Sequence, residues 1–452
     1  MPRQPVPLPP GPRTPSAWQL LHYSHSPLPF LEACAARYGD PFTVRWAGYG
    51  TFVMLSSPEA VRDVFRGDSH ALHSGEGNEF LSATVGRTSV LVLDDEPHAR
   101  QRRVLMPPLK GERMRAFFDA MQSATEQELR AWPLNTPVGM VEPMRRITLR
   151  VIAQVVLGLP SGPALERFER NVERMLAFGR TRHTLIWLKL VPTRLLTGAK
   201  WLPYFRQMRA LDDAIFNHIA TLRGRLAGER GQSVLADLLD AAHDESPLSD
   251  YEIRDAVVTL LIAGHDTTAL ALAWALEQIV PRVDVVGKID DELQRVTGGG
   301  PPIGAQLDAL TYLDAAIRES LRARTILPFA VRLTKQPFVA GGREYPLGVV
   351  LCPCNHLVHR RPDLYPEPQA FRPERFMQRR FAGHEWFPFG GGSRTCLGMA
   401  FALYEMRVVL STIFARLRLT RPVVSCSTAM RQGIALAPDD GAVMTVVKRR
   451  WE

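Results

Sequence analysis

Phe389-Gly390-Gly391-Gly392-Ser393-Arg394-Thr395-Cys396-Leu397-Gly398 is the stretch that decides how this chain is read. Three glycines lead into a cysteine at the head of a helical pattern that ends near residue 417. Glycines leave the backbone N–H groups around the sulfur uncovered, and such donors, with the positive end of a helix, favour a thiolate. A stable thiolate is a nucleophile or a metal ligand. No partner histidine stands at catalytic spacing, and Arg394 suits a carboxylate-bearing cofactor. A lone cysteine after glycines is also commonly a buried structural thiol, so the stretch alone leaves all three readings open.

Upstream, residues 250–280 form the best-delimited element. Ser249 with Glu252 three residues on makes a capping box, and Pro281 stops the helix. About thirty residues give a rod of roughly 45 Å, enough to cross a domain. Its centre is apolar on both faces and therefore buried all round. The polar run Ala263-Gly264-His265-Asp266-Thr267-Thr268 inside it needs partners or a purpose. Residues 259–276 come nearest to a membrane span, but His265 and Asp266 are costly at its middle. A helix buried within a globular protein suits them better.

Helical periodicity is expected first over 58–65, then over 113–131, 145–158, 164–178, 204–228, 233–242 and 305–324. Residues 42–55 alternate around Gly48-Tyr49-Gly50 and read as a hairpin. Strand-like pieces follow in 327–352, a proline-punctuated irregular stretch in 353–395, and loops with short strands in the last 35 residues. Residues 67–92 form a loop long enough to be functional. The apolar segment 180–204, with interspersed Arg and Lys, reads either as core-facing helix ends or as a lid or lipid-touching surface.

The 452 residues are 46% hydrophobic and 22% charged, which excludes wholesale disorder. The net charge of +9 invites a nucleic-acid reading. Only six of the 55 basic residues are Lys, however, and no run of five or more exists, so nucleic-acid binding is not expected. Five cysteines in so long a chain make no disulfide framework and fit a reducing compartment. Residues 1–15 hold seven prolines and no apolar signal core, so neither export nor an N-terminal membrane anchor is expected.

The cysteine stretch matches Phe-x-x-Gly-x-Arg-x-Cys-x-Gly, and the chain thereby resembles the cytochrome P-450 haem-thiolate monooxygenases of soluble bacterial type. The resemblance implies a mainly α fold with small β-sheets: a Pro-rich lead at 1–15 and one large domain at 16–452. Haem b would lie between the long central helix and the Cys-loop helix, with Cys396 as the axial thiolate, a ligand that favours O–O cleavage. Phe389 would shield the sulfur, and Gly392 and Gly398 would let the backbone approach the macrocycle.

Three further segments carry the same resemblance. Glu319-Ser320-Leu321-Arg322 places an acid and a base on one helical face, ordinarily a solvated surface pair. In this family it is a buried pair completed by an arginine, here Arg375 of Pro373-Glu374-Arg375-Phe376, and it braces the Cys loop. In the central helix Ala263, Gly264, Asp266, Thr267 and Thr268 match the oxygen-activating pattern. Gly264 would leave room above the iron, and Asp266 with Thr267 would deliver protons. His98 and Arg102, four apart on one face, with Arg332 and Arg394, resemble the propionate-binding set. One departure is Thr325, where the family commonly has proline ahead of the substrate-lining segment 326–331.

The function implied is insertion of one atom of O2 into an apolar terpenoid, steroid or fatty-acid-like molecule, by hydroxylation or epoxidation. Candidate pocket residues are Leu260, Ala263, Gly264, Leu327, Phe329, Ala330, Ile434 and Leu436, none presenting an obvious buried charge. Electrons would come from a ferredoxin or flavodoxin and its NAD(P)H reductase, docking at a basic face of Arg100, Arg102, Arg103, Lys110, Arg113 and Arg115. A cytoplasmic, monomeric protein without a stable membrane anchor is expected. The alternatives are a peroxide-driven peroxygenase or isomerase on the same fold, or a non-catalytic haem sensor.

Overall fold

Helix Asp250–Ile279 runs through the interior of the computed structural model, which describes residues 7–180, 203–226, 228–240, 248–421 and 427–450. The capping box forms as the spacing requires: Ser249 Oγ accepts from the Glu252 N–H at 3.3 Å, and Glu252 Oε2 accepts from the Ser249 N–H at 2.8 Å. From Thr268 to Ile279 every residue is buried. Among the described residues it is the one helix long and apolar enough to cross a membrane, and most of that apolar stretch is packed inside the protein.

Helices Val141–Leu157, Thr311–Ala323 and Met399–Arg416 pack around it. A Cβ on Gly264 would stand 3.1 Å from Ile152 Cδ1, so this glycine lets helix Val141–Leu157 close in. That differs from the expected role of leaving room above a cofactor. Buried leucines dominate the seam, and truncating one, such as Leu272, costs about 2–5 kcal/mol.

Two helices, Ser16–His25 and Pro27–Tyr38, precede the expected first one. Leu20, Tyr23, Phe30 and Leu31 pack with Phe42, Val44 and Trp46 of the first strand, and Pro27 takes the first-turn place where a missing N–H costs nothing. Helix Val283–Thr297 was also unforeseen, although Val285, Ile289 and Leu293 mark its buried stripe. The helix expected over 305–324 divides into a 3-10 turn, Gly304–Ala309, and helix Thr311–Ala323. The break is fixed from outside: Glu292 accepts from the N–H groups of Tyr312 at 2.8 Å and Leu313 at 3.0 Å, capping the new helix start. Residues 113–131 likewise divide, into Gly111–Arg115 and Phe118–Arg130.

The hairpin Phe42–Trp46 with Gly50–Leu55 pairs Phe42 with Met54 and opens a five-stranded mixed sheet. Val350–Pro353 joins it in parallel, followed by Arg332–Thr334 and Leu72–His73, both antiparallel. A separate hairpin, Ala429–Gln432 with Ala435–Pro438, turns at Gly433-Ile434. The described part of the proline-rich lead, from residue 7 on, is tied down. Thr43 donates from its N–H to Pro10 O at 2.8 Å and from Oγ1 to Pro9 O at 2.8 Å, laying residues 9–10 along the sheet edge. Of the apolar segment 180–204, residues 181–202 lie outside the described residues.

Candidate active site

The loop ahead of Cys396 is shaped by what it touches. The Cys396 N–H bonds Phe389 O at 2.9 Å and closes the turn. Gly392 has φ +67°, and a Cβ there would come within 2.2 Å of Phe65 O; one on Gly391 would come within 2.3 Å of the Phe65 ring. These two glycines therefore serve close packing on helix Pro58–Arg66, where for Gly392 the sequence suggested approach of a cofactor. Gly398 differs, since a Cβ there would meet only Cys396 Sγ, at 4.0 Å. Cys396 is exposed at its surface although protein surrounds it on nearly all sides, as befits a side chain facing an interior space. Burial pushes its thiol up, opposed by the Gly398 N–H and by Arg102, and coordination to a metal cation would deprotonate it outright.

A brace of buried ion pairs holds this loop. Arg322 donates from Nε to Glu319 Oε2 at 2.7 Å and from Nη2 to Oε1 at 2.8 Å, with both side chains almost wholly buried. Arg375 Nε lies 3.4 Å from Glu319 Oε1, so the three predicted residues come together. Arg322 Nη1 then donates to His359 O at 2.9 Å, and His359 Nε2 accepts from the Phe387 N–H at 3.1 Å. Through His359, which sequence reasoning missed, the brace reaches the segment leading into Phe389. Burial, then Arg322 and Arg360, hold this ring well below the usual histidine range. It stays neutral and can accept.

Four predicted cationic residues gather nearby. Arg394 is paired with Asp94 and also donates to Val90 O at 3.4 Å. Arg332 is 5% exposed and donates to Ser74 Oγ, Val331 O and Gly391 O, tying the Cys loop to the 67–92 loop. His98 and Arg102 make no side-chain hydrogen bond among the described residues. Burial, then Arg394 and Arg102, drive the His98 ring down to about 4. Asp94, which the sequence did not single out, also accepts from the N–H groups of Ser74, Gly75 and Glu76 at 2.9 Å each. Three guanidiniums and an imidazole against this one carboxylate leave an excess of donors, which fits a group carrying two carboxylates. The interior-facing sulfur beside them fits its metal. The donor set is that of a haem with a cysteine ligand.

On the central helix, Ala263 is exposed and Thr267 partly so, within an element otherwise largely packed. Thr267 Oγ1 donates to Ala263 O at 2.6 Å, the self-bond that eases a local bend. Asp266 is held by Arg145 Nε at 2.8 Å and Arg180 Nη2 at 3.3 Å. Arg145, 4% exposed, also donates to Gln432 of the 429–438 hairpin at 2.7 Å, joining acid, neighbouring helix and hairpin in one network. Arg145 was not legible in the sequence, since apart from Glu142 its partners, Asp266 and Gln432, lie more than a hundred residues away. His265 is fully buried, with Nδ1 2.9 Å from Thr148 Oγ1 and Nε2 3.2 Å from Arg180 Nη2, within the same polar network.

The proposed pocket residues divide. Leu327 and Ile434 are exposed, while Leu260 and Ala330 are partly so. Leu436 is 1% exposed and contributes backbone instead: its N–H bonds Ile326 O and its carbonyl takes the Trp274 indole, both at 2.9 Å. Phe329 leans into the Tyr23–Trp46 stack. Of the expected basic docking face, Arg100 pairs with Glu252, Arg103 with Glu96, Arg113 with Asp237 and Arg115 with Asp308, while Lys110 has no carboxylate partner among the described residues. Arg102 lies beside Cys396 and His98. A concavity of about 310 Å³ outside the Cys loop is lined instead by Arg62, Phe65, Arg66, His384, Gly390 and Met399 among others.

A helix-rich fold with a glycine-led cysteine, a buried Glu–Arg–Arg brace and an acid–alcohol step above an interior space defines a haem-thiolate oxidoreductase. The chain belongs to the cytochrome P450 family, whose profile matches residues 8–444. Cytochrome P450 135B1 of Mycobacterium tuberculosis (strain ATCC 25618 / H37Rv) is 33% identical over 97% of this chain and 91% of its own length. Cytochrome P450 138 from the same strain is 32% identical over 98% and 97%. Among solved structures, the cytochrome P450DA heme domain superposes with a TM-score of 0.86 at 23% identity, covering 99% of this chain and 98% of its own. Retinoic acid bound cyanobacterial CYP120A1 gives 0.83 at 22%, covering 98% and 100%. The cofactor is accordingly a cysteine-ligated haem b, and the enzyme is a monooxygenase that uses O2 and redox partners.

Proposed function

We propose that this cytochrome P450 oxidises a lipophilic aliphatic or isoprenoid molecule, with electrons delivered by a separate ferredoxin or flavodoxin. The observation that carries the reading is the accessible Ala263–Thr267 turn of an otherwise largely packed helix, with Leu260 one turn before it and the exposed aliphatic Leu327 and Ile434 as its proposed wall. Such a wall excludes water and selects by shape and apolar area. The haem, ligated by Cys396, supplies oxygen binding and reduction. His98, Arg102, Arg332 and Arg394 would grip its carboxylates, whose charge would oppose the repulsion that Arg394 and Arg102 add to burial in pushing His98 down. Thr267 Oγ1 is placed to pass a proton into the cavity, and Asp266, released from Arg145 or Arg180, is its source. Arg66, exposed and without a carboxylate partner among the described residues, marks the concavity beside the Cys loop as the docking place of an acidic carrier.

The test is to screen lipophilic compounds for a Soret shift of the haem protein, then follow product with NAD(P)H, a ferredoxin and its reductase. Product formation in that system, lost about tenfold or more to peroxide release in Thr267→Ala, is the expected result. Product from peroxide alone, with Thr267→Ala unaffected, overturns it in favour of a peroxygenase.

A further inference from the structure

Arg431 lies on strand Ala429–Gln432 and is 3% exposed. Among other deeply buried arginines, Arg145 sits on Asp266, Arg254 on Asp212 and Asp255, and Arg322 on Glu319, while Arg332 spends its donors on Ser74 Oγ, Val331 O and Gly391 O. Arg431 has no carboxylate partner among the described residues. Its Nε donates to Gly433 O at 3.1 Å, its guanidinium carbon stands 4.8 Å from the centroid of the Tyr23 ring, and its buried Nη1 has no partner. A guanidinium offers five donors, and only one of these is used. Burying such a charge is costly, and one cation–π contact offsets only part of it. Neither neighbouring phenol is the missing counter-ion. Burial pushes Tyr23 and Tyr49 up to about 12, the nearby Arg431 only partly opposing it, so both stay neutral.

The place of this charge matters as much as its isolation. Strand side chains alternate, so Gln432 reaches Arg145 and the Asp266 network while Arg431 turns to the first helix. Tyr23 stacks on Trp46 at 4.4 Å and touches Phe329, of the 326–331 segment, at 6.1 Å. Tyr49, at the hairpin turn, meets Phe80 of the 67–92 loop at 6.1 Å. An unmatched cation is thus set into an aromatic cluster that reaches the 326–331 segment and the 67–92 loop, one residue from the network at the central helix.

We propose that Arg431 binds the carboxylate of an otherwise apolar substrate, making this enzyme an oxidase of lipophilic carboxylic acids held by the head group. The inference rests on the monooxygenase reading above and narrows its substrate class. An apolar tail then lies along the aliphatic wall, and oxidation falls at a position set by its distance from the head. Fatty acids and isoprenoid acids share this chemistry.

The purified haem protein is titrated with dodecanoate, hexadecanoate and retinoate, each beside its methyl ester, and the Soret shift gives the affinities. Wild type is expected to bind at least one acid tighter than its ester by about tenfold or more, the range of a charge-assisted hydrogen bond. Arg431→Leu is expected to abolish that preference while leaving ester affinity in place, and Arg431→Lys to keep part of it. Which acid shows the preference distinguishes a fatty acyl from an isoprenoid source. Equal binding of acids and esters by wild type, no response to any acid, or a preference that survives Arg431→Leu overturns the inference, and the first two need no variant to fold. Failure of the underlying reading looks different: acids bind selectively, yet no oxidised product forms with a complete redox chain.

Discussion

Around Cys396, charged side chains interlock: Glu319 with Arg322 and Arg375, Arg394 with Asp94, Arg332 with the loop carbonyl of Gly391. Along the 326–331 segment and the 433–436 turn, the side chains offer almost no polar contacts, and the hairpin is held by backbone bonds at Leu436 and by Gln432. The first region must hold one cofactor in one geometry, for which directional, buried ion pairs are suited. The second, in the function proposed, admits a molecule and lets it leave, for which exposed aliphatic groups are enough. Arg431 stands apart as a cofactor-type residue, charged and buried, on what is proposed as the substrate side.

The contrast predicts unequal responses to substitution. Glu319→Gln strips the partner from two buried guanidiniums and is expected to cost about 3–5 kcal/mol, with haem content falling in step. Thermal unfolding and the haem-to-protein absorbance ratio measure both. A variant of wild-type stability would mean the brace is not what holds the loop.

Acid acts on the same region. His98, down at about 4, and His359, well below its ordinary value, are neutral in the fold and protonate more readily when it unfolds. The stability they allow is complete above about pH 6.5 and declines as pH falls toward 4, by roughly 3 kcal/mol for His98 in the haem-free protein. Urea unfolding across that window is expected to show the decline. Haem carboxylates placed beside His98 would reduce it, so the holo protein should lose less. An unfolding free energy that is flat from pH 6.5 to 4 would contradict the neutral-imidazole assignment.

The smallest effects belong to the substrate wall. Ile434→Ala and Leu327→Ala remove exposed aliphatic groups and are expected to change stability by no more than about 0.5 kcal/mol. Both should nonetheless alter which lipophilic ligands shift the Soret band. A loss of several kcal/mol at either place would show that the wall is structural core.

Legibility in the sequence follows the same division. The Cys loop, the Glu-x-x-Arg pair, the His98–Arg102 face and the capped central helix are short-range patterns, since each depends on residues within a turn or a loop of one another. Arg145, Asp94, His359 and Arg431 were not readable, because each acquires its role from partners brought in by the fold: Gln432 for Arg145, Arg394 for Asp94, Phe387 for His359, Tyr23 for Arg431. Much of the expected basic docking face is paired for the same reason. Glu252, Asp237 and Asp308 are remote in sequence and neutralise it in space. Glycines were legible as necessary but not in purpose: Gly264 and Gly392 yield to Ile152 and Phe65.

The central claim is that Cys396 is the axial thiolate at the centre of this braced site. The most direct measurement is the absorption spectrum of the reduced, carbon monoxide-bound protein beside that of Cys396→Ala. Wild type is expected to show the red-shifted Soret band of a thiolate-ligated haem, and the variant, if it retains haem, to lose that band. The same red-shifted band in Cys396→Ala would contradict the assignment.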